Sequence, residues 1–92
     1  MDISEKAKLY GALADPLRLR IVSHLMAHGE ACGKELAASL AMSVALVSHH
    51  TKILEDAGLI ARRREGQFVR FTLNRERLAA LEISESFPSS CG

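Results

Sequence analysis

Ninety-two residues with a net charge of +1, nearly half of them apolar but with three Phe, one Tyr and no Trp, describe one small domain with an aliphatic core. No apolar run approaches membrane-spanning length and no signal-peptide core opens the chain, so a cytoplasmic protein without a membrane partner is expected. Two cysteines, Cys32 and Cys91, are too few for a disulfide scaffold and are expected as thiols.

Ile3 to about Ala14 reads as a first helix, with Ala7, Leu9, Tyr10, Leu13 and Ala14 as its apolar members. Asp15-Pro16 then supplies a cap and a proline at the first helical position. Leu17 to His28 forms a second helix burying Leu17, Ile21, Val22, Leu25 and Met26, and Gly29 ends it. A short third helix from about Lys34 to Leu40 turns Leu36, Ala37 and Leu40 inward. The turn Ala41-Met42-Ser43 leads to a fourth helix that Ser43 caps and Gly58 stops, a helix-turn-helix arrangement. Leu59–Arg64 and Gln67–Leu73 read as strands joined at Glu65-Gly66, and Asn74 caps a last helix running from Arg75 to about Phe87. Residues 88–92 read as a frayed tail, with no internal repeat or linker before them. The expected fold is thus mainly α with a small β-hairpin: a winged helix-turn-helix in a single domain over residues 1–92.

On the fourth helix, Val47 and Leu54 share one stripe and Leu46, Ile53 and Ala57 the next, so that side is buried. The opposite side carries Val44, Ala45, Ser48, His49 and Lys52, small or hydrogen-bonding residues suited to the DNA major groove. Charge is local: residues 1–42 hold five basic and five acidic groups, whereas residues 43–70 hold five basic and three acidic ones. Ser43, Val44, Ala45, Ser48 and His49 are therefore expected at base edges or phosphates, and Lys52 at a phosphate. Arg62, Arg63, Arg64 and Arg70, around the turn at Gly66, are expected along the DNA backbone. Strand alternation forbids all four arginines from facing DNA together.

The run Ala12-Leu13-Ala14-Asp15-Pro16-Leu17-Arg18-Leu19-Arg20-Ile21-Val22 resembles the opening motif of the ArsR/SmtB family of bacterial repressors. Ser43, Val47-Ser48-His49-His50, Lys52, Leu54 and Ala57-Gly58-Leu59-Ile60 resemble its recognition helix, and Arg63-Arg64-Glu65-Gly66-Gln67 its wing. The resemblance covers residues 7 to about 81 and implies a homodimeric repressor that binds double-stranded operator DNA and is released by an inducer. It implies a dimer interface through the first and last helices, at Leu9, Leu13, Leu78, Leu81 and Phe87. It puts His49 at the DNA and leaves His50 partly packed. Thr51 departs from the family, which usually has Leu there, and a slightly looser core is expected.

Cys32 matches the first cysteine of a family segment that binds arsenite or soft metals, but Lys34 stands where the second would be. One thiolate cannot chelate a soft ion tightly. An inert thiol, a redox sensor, and a metal or metalloid ligand set completed by Cys91 all remain open for Cys32 and Cys91. Arg75 and Arg77 fall where the family's last-helix zinc site has its first ligands, so that site is expected to be absent. His24 and His28 are spaced i, i+4 but lack an obvious third ligand, and neither a metal nor a cofactor is expected. No catalytic constellation is present, so an enzyme is not expected. Two other readings remain: a winged-helix protein-interaction module that ignores DNA, and a thiol or metal-buffering protein.

Overall fold

A computed structural model describes residues 1–81; the expected extension of the last helix to Phe87 and the tail with Cys91 lie outside the described residues. The order is α1 (Ile3–Leu13), α2 (Pro16–His28), β1 (Ala31–Cys32), α3 (Gly33–Leu40), α4 (Val44–Asp56), β2 (Ile60–Glu65), β3 (Phe68–Leu73) and α5 (Arg75–Ala79). Helix starts follow cap chemistry. Asp2 and Glu5 form a capping box on α1, and Asp15 accepts the Leu17 and Arg18 amides at 2.9 and 3.1 Å at the start of α2. Ser43 accepts the Leu46 amide at 3.0 Å and Asn74 the Arg77 amide at 3.1 Å. Each bond satisfies a first-turn donor that has no partner within its helix.

The core gathers Leu9 of α1, Ile21 and Leu25 of α2, Leu36 of α3, and Val47 and Leu54 of α4, with Leu59 beyond it. The turn between α3 and α4 is made by Ala41, a non-glycine residue at φ +54°. Gly58 at φ +81° frees the chain to leave α4 for β2, and Gly66 at φ +63° makes the hairpin turn.

Two expectations need correction. The sheet has three antiparallel strands in the order β1-β3-β2, not two, because Ala31 pairs with Phe71 and Cys32 with Arg70. A two-residue strand is too short to carry the alternation that marks strands in sequence. Leu17 and Met26 of α2, expected in the core, are half-buried and exposed, and in α1 only Leu9 and Ala12 are buried, with Leu13 half-buried. A short helix on the rim of a small core offers it one i, i+3, i+4 stripe and no more.

A polar knot joins α1, α2 and α4. His50, only 7% exposed, lies with its Nδ1 3.1 Å from the Arg18 Nη1 donor and 4.0 Å from Asp15. Arg18 Nε also donates to the Ala12 carbonyl at 2.6 Å. Accepting from Arg18 leaves Nδ1 bare and puts the imidazole proton on Nε2.

Burial holds the His50 pKa below its ordinary 6.5, against the smaller pull of Asp15. As pH falls, the unfolded chain takes up this proton before the folded chain does, so folding is disfavoured. The His50 contribution to stability is complete above about pH 6.5 and is lost as pH falls from there towards the lowered folded value. Thermal unfolding should show Tm dropping by roughly a few degrees between about pH 7.5 and 5.5. His50→Gln should flatten that profile; parallel profiles for the two chains would contradict the assignment.

Candidate nucleic-acid interface

Helix α4 is two-faced because its core side is fully used. Val47 and Leu54 are buried there, with His50 and Thr51 between them. Thr51 is 0% exposed and its hydroxyl donates to the Ser48 carbonyl at 3.2 Å, so the residue that departs from the family pattern leaves no polar atom unsatisfied. The other side shows Val44, Ala45, Ser48, His49 and Lys52 exposed, with Ser43 exposed at the cap. All six residues expected on the recognition face thus share one uncovered surface. Val44 is 56% exposed, which the core does not require.

The hairpin arranges its cations by register. Arg62 lies across from Phe71 and Arg64 across from Val69, whereas Arg63 lies across from Arg70 on the other face. Most of these arginines are engaged by carboxylates that sequence spacing did not reveal. Arg63 meets Glu30 at 2.6 Å and Glu65 at 3.0 Å. Arg70 meets Glu65 at 3.0 Å and Glu35 at 3.5 Å. Arg62 meets Glu55 of α4 at 3.3 Å, with its guanidinium 5.6 Å from the Phe71 ring centre. Among the described residues, Arg64 has no carboxylate partner. The Arg70 and Arg63 side chains hold the Glu65 carboxyl below its usual range, and the Cys32 amide does the same for Glu35.

A groove of about 520 Å³ lies between α4, the hairpin and the start of α3. Its lining includes Lys34, Gln67 and Phe68, none expected from sequence to form a site together, and the half-buried Cys32. Elsewhere, Leu9 and Leu81, expected at a partner surface, are buried in the chain's own core, while Leu13 and Leu78 pack partly against it. The His24 and His28 rings lie 4.4 Å apart, and among the described residues no three His, Cys, Asp or Glu side chains form a metal-sized cluster. Arg75 donates to the Met26 carbonyl at 3.0 Å, and the Arg77 stem packs over Gly58.

Helix-turn-helix plus an arginine-bearing hairpin defines a winged helix-turn-helix domain. A family model described as bacterial regulatory protein, arsR family, matches residues 15–62, and the chain belongs to that family. It is 42% identical over 69 residues to a transcriptional repressor SmtB homolog of Synechocystis, covering 75% of this chain and 52% of that protein. It is 35% identical over 75 residues to a cadmium resistance regulatory protein CadC homolog of Staphylococcus aureus, covering 82% and 62%. This chain therefore spans about half to three fifths of the length of these relatives. A homodimeric winged helix-turn-helix DNA-binding domain from Mycobacterium bovis matches with a TM-score of 0.78 and 30% identity, over 86% of this chain and 72% of that one.

Among the described residues, Glu65 is the one carboxylate shared by two wing arginines. Glu65→Gln should raise amide hydrogen exchange across residues 60–73 about two- to fivefold with little change in Tm, since exposed ion pairs add little to global stability. Unchanged exchange would show that the strand ladder alone holds the hairpin.

Proposed function

We propose that this chain is a DNA-binding transcriptional repressor acting in the cytoplasm as a homodimer on duplex operator DNA. The observation that carries the reading is the uncovered face of α4, where every small, polar or basic residue of the helix's outer side is exposed while the inner side is locked in the core. Ser43, Val44, Ala45, Ser48 and His49 would meet base edges or phosphates in the major groove, and Lys52 a phosphate. Gly66 lets the hairpin turn tightly beside the sugar-phosphate chain. Arg64 is its leading cation, and Arg62, Arg63 and Arg70 reach DNA only by sharing or leaving their carboxylates. Pairing through the first and last helices would set two recognition helices about one DNA turn, ~34 Å, apart. The exposed Ile3 and Tyr10 of α1 support a partner surface there, beside Leu13 and Leu78.

Release by an inducer follows from the same reading. Cys32, next to Arg70 in the sheet register, is the position from which thiol oxidation or a thiophilic ion would disturb the hairpin. Cys91 would be its candidate partner.

Fluorescence anisotropy with a labelled duplex from the chain's own upstream region tests the proposal. Affinity should fall steeply with salt, as phosphate contacts release counterions. Arg64→Ala should weaken specific and random duplexes alike and reduce the salt slope by about one. Ser48→Ala or His49→Ala should weaken the specific duplex by about 1–3 kcal/mol more than a random one. Equal losses on both duplexes for Ser48→Ala would remove base reading at that residue. No salt-sensitive binding at all would favour a protein-interaction module instead.

A further inference from the structure

Among the described residues, seven large apolar side chains are well exposed, and five of them (Met1, Ile3, Tyr10, Leu19 and Met26) belong to the first two helices or the residues leading into them. The other two, Val44 at 56% and Phe68 at 48%, both line the groove between α4 and the hairpin. Val47, Val69 and Phe71 continue that apolar lining. β1 pairs with β3 only at Phe71 and Arg70, so the neighbouring stretch of β3 at Val69 and Phe68 keeps an edge that no strand covers. At about 520 Å³ the groove lies within the ~300–1,000 Å³ of small-molecule sites.

Its charged groups carry one sign. Lys34 and Arg62 both line it, and among the described residues no carboxylate does. Arg62 is already paired with Glu55, whereas Lys34 has no ion-pair partner among the described residues. A free inorganic phosphate would leave the Val44 and Phe68 lining unused, because valine and phenylalanine offer an anion no hydrogen bond. An apolar body with a single anionic group fits both parts, the body on the Val44–Phe68 lining and the anion at Lys34.

We infer that the groove between α4 and the hairpin is a binding site for an aromatic or branched-alkyl monoanion, a carboxylate or sulfonate, and that its occupation excludes DNA. The exclusion rests on the DNA-binding reading above: a bound anion puts bulk and negative charge where the duplex backbone must pass between the recognition helix and Arg64. The ligand site itself does not depend on that reading.

The test uses the full chain and the fluorescent anion 8-anilinonaphthalene-1-sulfonate, without DNA and then with a duplex from the chain's upstream region. The dye should bind with saturation at one per chain and be displaced by 4-phenylbutyrate but not by inorganic phosphate at equal ionic strength. Phe68→Ser should weaken dye binding about fivefold or more, and Lys34→Gln about threefold. Both positions are exposed, so the fold should survive, and Met26→Ser on the far exposed patch should leave the titration unchanged. Dye affinity unaffected by Phe68→Ser and Lys34→Gln, or lost with Met26→Ser, would overturn the site. Displacement of bound dye by the duplex supports exclusion; simultaneous binding of both overturns it. Dye in the groove with no duplex binding would refute the DNA reading and leave the ligand site standing.

Discussion

Val47 and Leu54 press one side of α4 into the core while His50, between them, takes a hydrogen bond from Arg18. That seam fixes the rotation of α4 about its own axis. Turning the helix by one residue would withdraw His50 from Arg18 and push a leucine or valine into water. Arg18 also ties to the Ala12 carbonyl, and Asp15 caps α2 while facing His50, so the corner between α1 and α2 is anchored to the same point. Backbone amides of Arg18 and Leu17 keep the Asp15 carboxyl below its usual range, ionised for its capping role. With the inner side so committed, the residues left outside are the small and polar ones of the proposed recognition face.

The hairpin depends on that seam less directly. Phe71 is buried and pairs with both Arg62 and Ala31, so β3 is held between β2 and β1 and the base of the wing is rooted in the core. Towards the tip, Val69 still packs partly against the core on one face, while Arg63 and Arg70 put charge on the other. Glu30 and Glu35, from the segment around β1 and the start of α3, bind Arg63 and Arg70 from the side, and Glu65 joins the two. These pairs are exposed and add little stability. Their effect is orientational: among the described residues they leave Arg64 as the wing arginine without a carboxylate, on the opposite strand face from Arg63.

Much of this was legible in the chain itself, for physical reasons. Asp15, Ser43 and Asn74 announced helix starts because their side chains replace missing amide partners, and Glu65-Gly66 announced the turn. The exposed face of α4 followed from its 3.6-residue period. Information that arises only from distant pairing was hidden. β1 exists because β3 returns to it, Leu9 and Leu81 are buried because the chain's own helices close over them, and Glu30 meets Arg63 only after folding. Lys34, Gln67 and Phe68 look like ordinary surface residues until the groove brings them together. His50 carried a readable hint, an imidazole one step round from the exposed face, but its partner Arg18 did not.

Backbone amide NMR of the full chain, with and without a duplex from its upstream region, tests the central claim most directly. The account places the largest shifts at residues 43–52 and 62–68, with Ile21, Leu25 and the rest of the α2 core interior unmoved. Shifts gathered on α1 and the outer side of α2, with the α4 amides unchanged, would contradict it.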